Sequence, residues 1–264
     1  MKVEICERPV FVLGAPRSGT SMMQWALRQH PNLWGGQESD YLIPLVSELE
    51  RIWEFGSTRG KLHWLSGQRV DLDEFVGHVG IGINALYTNR AKGLRWVEQT
   101  PQYTLHLDDM LRLFPGAQFL VMVRDGRQVV ESLRNFVNPV PFEEACHIWL
   151  RHNQAARDFA AGEHGDHLHF VSYERAVLDT DAEMRQLFEF IGEPYSEAPG
   201  NRITSRAPMN SSFVGEGRDQ KLAPRWSSWT ARERAGFDEV AGDMLIALGY
   251  ETDHDWIERE PADA

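Results

Sequence analysis

A glycine-framed, hydroxyl-rich loop built around an arginine follows directly on an apolar run at 10–13: Gly14-Ala15-Pro16-Arg17-Ser18-Gly19-Thr20-Ser21. Glycines at this spacing let a loop curl until its N–H groups converge, and a helix start behind it favours an anion. The pattern matches the nucleotide phosphate loop G-x-x-x-x-G-K-[ST] except at its lysine. Thr20 takes that position, and Arg17 supplies the charge from inside the loop. A phosphate-type ligand other than an ordinary triphosphate is expected. A second cationic group, Arg124, leaves the apolar run 119–123, and Ser132 follows about two helical turns later. An arginine at a strand end and a hydroxyl on the next helix suit a second phosphate, where doubly wound sheets hold their ligands. Read alone, a surface pairing of Arg124 with Asp125 accounts for the pattern slightly better. Beside the first loop, the ligand reading is preferred.

Positioning these groups takes strands that all end at one rim. Strand-like runs fall at 10–13, 94–97, 119–123 and 168–171, with helical patterns between them, the alternation of a parallel sheet covered on both faces. Helices are expected over about 20–29, 39–55 and 126–136. Another is expected from Thr100-Pro101, with threonine as N-cap and proline in the first turn. Thr230 and Glu233 form a capping box, and Gly249 suits the end of that last helix. The polar stretch 192–228 reads as a long loop, the kind that serves as a lid. Residues from Asp253 onward read as a loose tail.

Composition narrows the classes. The chain of 264 residues, 42% hydrophobic and 25% charged, is long enough for one substantial core, and no linker or repeat divides it. A net charge of −12 disfavours nucleic acid or an anionic membrane as partner and makes local arginines more telling. Two cysteines, Cys6 and Cys146, imply no disulfide framework, so a cytoplasmic protein is expected. Nothing approaches the ~20 apolar residues of a membrane span, and no signal segment precedes the first strand.

Several motifs together resemble the sulfotransferases that use 3′-phosphoadenosine 5′-phosphosulfate (PAPS), in the branch of the tyrosylprotein and many bacterial enzymes. Pro16-Arg17-Ser18-Gly19-Thr20-Ser21 is similar to that family's 5′-phosphosulfate loop. The stretch from Val123-Arg124-Asp125-Gly126-Arg127 to Ser132 resembles its 3′-phosphate element. Phe170-Val171-Ser172-Tyr173-Glu174 resembles a strand end whose tyrosine lies near the nucleotide. Pro224-Arg225-Trp226, with the helix ending at Leu248-Gly249-Tyr250, is similar to the lid and final helix. The resemblance implies one α/β domain over 1–250, a P-loop-like parallel sheet flanked by helices on both faces, with 251–264 as a tail. It implies Arg17, Ser18, Gly19, Thr20 and Ser21 on the phosphosulfate, with Arg124, Ser132, Tyr173 and Arg225 also holding the nucleotide. It also gives Glu38 the role of catalytic base. Without it, Glu38 is an acidic residue near a helix start, worth only ~0.3–1 kcal/mol.

The chain departs from the family where Glu98-Gln99-Thr100-Pro101 replaces the common Glu-Lys-Thr-Pro, and Arg95 or Arg225 is a candidate to compensate. Lid residues 210–212 and the arginines Arg202 and Arg206 are weaker candidates for nucleotide contact. His164, His167 and His169 read as a solvated turn, and sulfuryl transfer needs no metal. The aromatics Trp34, Tyr41, Trp53, Phe55 and Trp64 suggest an acceptor pocket as an alternative to ordinary core. With Asp40 after the base and an acidic chain overall, the expected acceptor is a hydroxylated small molecule, sugar or lipid. Two rival readings are a P-loop small-molecule kinase using ATP and magnesium, and a non-catalytic nucleotide-binding module. The missing lysine counts against the kinase.

Overall fold

The computed structural model describes residues 3–58, 60, 63–205 and 224–259. Its centre is a five-stranded parallel sheet. The strands are β1 Val10–Gly14, β2 Leu33–Gly35, β3 Arg95–Glu98, β4 Gln118–Val123 and β5 Leu168–Ser172, in the spatial order β2-β3-β1-β4-β5. The helices are α1 Thr20–Leu27, α2 Leu42–Ser57, α3 Trp64–Gln68, α4 Leu72–Ala91, α5 Leu107–Leu113 and α6 Gly126–Arg134. They continue with α7 Phe142–Ala161, α8 Tyr173–Leu178, α9 Thr180–Ile191, α10 Glu197–Ser205 and α11 Ala231–Ala247.

Alternation along β1 explains why its sequence reads as unbroken apolar. Phe11 and Leu13 enter a core with Trp96, Phe114 and Phe119, under α2, α4, α5 and α7. Val10 and Val12 enter the opposite core with Met23, Leu120 and Phe188, under α1, α8, α9 and α10. Both faces are covered, so neither carries a polar alternate. This is the α/β architecture expected, with β1 at the centre and the chain turning to either side of it. The loop leaving β1 therefore opens at the switch point of the sheet.

Several expectations need correction. β2 has only three residues and was not anticipated. The segment after Thr100 opens as a 3₁₀ turn over Pro101–His106 before α5 begins, and Thr100 makes no side-chain cap there. The stretch read as a long loop contains α10 and a 3₁₀ turn at Arg225–Ser228. Residues 210–212 and Arg206 lie outside the described residues. The start of the expected tail is structured: His254–Glu258 forms a 3₁₀ turn, with Trp256 1% exposed. Trp256 packs edge-on against Trp226 and Phe237, and the guanidinium of Arg127 lies 4.1 Å from the centre of the Trp226 ring. Arg127 also pairs with Asp125 and Glu251, which binds this terminal segment to α6. Among the described residues, no helix is long and apolar enough to cross a membrane. Cys6 and Cys146 are both free thiols.

Candidate active site

Because the strands are parallel, all five C-terminal ends open on one rim, and each leads to a candidate residue. β1 runs into the loop 14–19, β2 into Glu38, β3 into Gln99, β4 into Arg124 and β5 into Tyr173.

The loop requires its glycines. Gly14 has φ +132°, and a Cβ there would lie 2.4 Å from the Met122 carbonyl oxygen; its N–H donates to Thr104 Oγ1 at 2.8 Å. Gly19 has φ +100°, and a Cβ on it would lie 2.5 Å from Cδ2 of Tyr173. Arg17 itself adopts a left-handed φ of +74°, uncommon for a residue with a side chain. Gly19 caps α1 without a side-chain hydrogen bond, and the first turn holds no acidic residue. The N–H groups of that turn are therefore available to an anion. Ser18 is fully buried, and its hydroxyl has no hydrogen-bond partner among the described residues. A buried orphan hydroxyl beside an uncapped helix start fits a phosphate-type group.

The second cluster joins the loop directly. Arg17 Nε donates to Ser132 Oγ at 3.2 Å, and its guanidinium lies 4.2 Å from the centre of the Phe136 ring. Arg124 donates to the Arg17 carbonyl at 3.1 Å and stacks 4.2 Å over Tyr173. Burial first, then the positive charge of Arg124, pulls the pKa of Arg17 below the ordinary arginine value. Two cations held so close favour an anion between them. Trp149 supports the strand end by donating from Nε1 to the Arg124 carbonyl at 3.1 Å. Glu174 accepts from the Asp125 N–H and from the Tyr250 hydroxyl, and burial raises its pKa.

Glu38 is exposed, and its carboxylate accepts from Gln99 Nε2 at 3.0 Å. The same nitrogen donates to Thr20 Oγ1 at 3.2 Å, so the residue standing in the lysine position ties Glu38 to the phosphate loop. Gln24 of α1 adds a second tie, donating to the Gly36 carbonyl at 2.7 Å on the approach to Glu38. Behind Glu38, Glu98 is 2% exposed, and burial pushes its pKa up to about 7.

The structure thus joins Arg17, Arg124, Ser132 and Tyr173 in one contact chain, and Thr20 to Glu38 in another, with Ser18 and Gly19 in the loop between and Ser21 in the first turn of α1. Arg225 opens the 3₁₀ turn packed on α6 through Trp226. Arg95 does not stand in for a lysine at Gln99. It begins β3, at the opposite rim, where it pairs with Glu193 and donates to the Ile191 carbonyl. His167 bonds the Ala117 carbonyl and His169 stacks on Phe190, away from this rim. Sequence reading missed Gln24, Phe136, Trp149 and the burial of Glu98. Only Glu98 left a trace there, as a charge closing an apolar strand.

An α/β rim with a lysine-free phosphate loop, a second arginine–hydroxyl pair and a carboxylate at its edge defines a class of group-transfer enzyme. The family model described as "Sulfotransferase family" matches residues 9–197. Protein-tyrosine sulfotransferase 1 of Danio rerio is 27% identical over 259 residues, covering 92% of this chain and 72% of that protein. The protein-tyrosine sulfotransferase of Drosophila melanogaster is 26% identical over 262 residues, and this chain spans about half (51%) of its length. Among solved structures, the sulfotransferase domain from the Synechococcus PCC 7002 olefin synthase has a similar fold. Its TM-score is 0.61 at 24% identity, over 92% of this chain and 96% of that one. The chain belongs to the sulfotransferase family and is by class a PAPS-dependent sulfotransferase.

Proposed function

We propose that Glu38 acts as the base in transfer of a sulfuryl group from PAPS to a hydroxyl, with Arg17 as the principal stabiliser of the leaving phosphate. The acceptor oxygen forms its bond to sulfur as its proton passes to Glu38. The bond between sulfur and the bridging 5′-phosphate oxygen breaks, and its electron pair stays on adenosine 3′,5′-bisphosphate. Charge therefore grows beside Arg17 and the N–H groups at the start of α1, where fixed donors lower a barrier most. Thr20 and Ser21 add hydroxyl donors. Arg124 and Ser132 hold the 3′-phosphate, with Tyr173 and Arg225 as further nucleotide contacts. The observation that carries this reading is the Gln99 bridge, which puts the carboxylate within two hydrogen bonds of the donor loop.

For the acceptor we propose a tyrosine hydroxyl on a polypeptide, in place of the small molecule, sugar or lipid expected from composition. The names of the relatives favour it, and exposed aromatics at the start of α2, near its end and on α3 add apolar surface, with Tyr41 at 45%, Phe55 at 63% and Trp64 at 72%. A free hydroxylated small molecule is the second reading. It is favoured by exposed Asp40 beside the base and the net charge of −12, both unsuited to an acidic peptide. A reducing, cytoplasmic setting rests on the two free thiols.

The test is Glu38→Ala. A positioned base contributes ~10²–10⁴-fold, so turnover should fall by that factor while calorimetry finds adenosine 3′,5′-bisphosphate binding as before. Turnover at the unmutated level removes Glu38 from the mechanism. Tighter binding of ATP with magnesium than of adenosine 3′,5′-bisphosphate would return the kinase reading.

A further inference from the structure

Glu98 closes β3, an interior strand between β2 and β1, a place where an apolar side chain would cost less. A carboxyl buried there loses its hydration and needs close partners in return. Those partners all belong to the approach to the rim. Glu98 Oε1 accepts from the Ser39 hydroxyl at 2.8 Å, the Ser39 N–H at 3.2 Å and the Thr100 hydroxyl at 2.7 Å. Its Oε2 has no hydrogen-bond partner among the described residues. Ser39 is gripped at its other polar atoms too: its N–H also donates to Thr100 Oγ1 at 2.9 Å, and the Tyr103 hydroxyl donates to its carbonyl. Ser39 immediately follows Glu38, in a segment outside any helix or strand. Glu38 therefore sits in an irregular, exposed stretch whose next residue is clamped to β3.

We propose that Glu98 is a positioning residue for Glu38. It fixes the Ser39 peptide so that the neighbouring carboxylate stays within reach of Gln99 and the donor loop. The inference rests on the reading of Glu38 as base. A shift of about an ångström in a reacting group costs roughly 10²-fold in rate, which sets the scale of the effect.

The experiment follows transfer from labelled PAPS to a pool of tyrosine-containing peptides by Glu98→Ala, Glu98→Gln, Glu38→Ala and the Glu98→Ala/Glu38→Ala double variant. Glu98→Ala should lower kcat by about 10²-fold. Affinity for adenosine 3′,5′-bisphosphate should stay within about threefold of the unmutated enzyme, because the loop and Arg124 are untouched. Glu98→Gln keeps an acceptor oxygen for Ser39 and should rescue most of the loss. The double variant should be no slower than Glu38→Ala, since a misplaced base cannot matter once the base is gone. Unchanged kcat in Glu98→Ala, failure of glutamine to rescue, or a further full loss in the double variant overturns the proposal. An active Glu38→Ala overturns the base itself, whereas an inactive Glu38→Ala beside a fully active Glu98→Ala overturns only the role given to Glu98. If Glu98→Ala does not fold, Ser39→Ala carries the test. It should lower kcat severalfold at an unchanged melting temperature, and unmutated kcat overturns the proposal.

Discussion

Replacing Glu98 with glutamine should make the protein's stability less sensitive to rising pH. Burial penalises the charged carboxylate and pushes its pKa up from 4.5 to about 7 in the folded chain, with Glu38 adding repulsion. The folded state thus binds the proton more tightly than the unfolded chain does. Its contribution to stability is full below about pH 4.5 and is lost as pH rises through about 7. At about 1.36 kcal/mol per pH unit, the whole interval is worth about 3 kcal/mol, of which about 2 to 3 kcal/mol falls between pH 5 and 8.5. Glu98→Gln stays neutral throughout and should escape that loss. Urea unfolding of both proteins across this range, compared as a difference, cancels the groups they share. The variant should gain on the unmutated protein by about 2 to 3 kcal/mol from acid to alkaline pH, or roughly 5–10 °C in melting temperature. A difference that is flat with pH would refute the reasoning, because Glu98 would then ionise as freely in the sheet as in water.

Two further outcomes follow from packing. Gly19→Ala places a methyl against Tyr173 at a left-handed backbone position, so it should cost about 1–3 kcal/mol in stability. Because Tyr173 supports Arg124, calorimetry should also find affinity for adenosine 3′,5′-bisphosphate reduced at least about tenfold; unchanged affinity would separate Tyr173 from the nucleotide. Trp256→Ala empties a fully buried site beside Trp226, Phe237 and Arg127 and should cost about 3–5 kcal/mol in chemical unfolding. A loss under about 1 kcal/mol would mean that the terminal segment is dispensable to the fold.

What could be read from the sequence was local. The run 119–123 announces itself because a strand buried on both faces has no polar alternates. The capping box of Thr230 and Glu233 is present as expected, since both partners lie within one turn. The loop 14–19 was legible because its glycines and arginine define a shape by themselves. β2 was not, since Leu33, Trp34 and Gly35 are too few to declare a period, yet this is the strand that leads to Glu38. Spacing alone therefore left Glu38 as an ordinary acidic residue, and only the family resemblance raised it. Trp256 gave no sign of its burial, because its partners Arg127 and Trp226 come from distant parts of the chain. Arg95 was misread for the converse reason. It is near Gln99 in sequence, but a strand's length separates the two rims of a sheet.

The amide of Gln99 has two hydrogens, and Thr20 and Glu38 account for both. A further oxygen arriving at that nitrogen, such as one on a bound donor, can be served only by displacing one of them. Displacing Glu38 would strip its carboxylate of a stabilising partner and leave it a stronger proton acceptor at the moment the donor is seated. A lysine ammonium carries three hydrogens and a full charge, so it could satisfy all three oxygens together. In this chain, filling the donor side and releasing Glu38 become a single event at one small group.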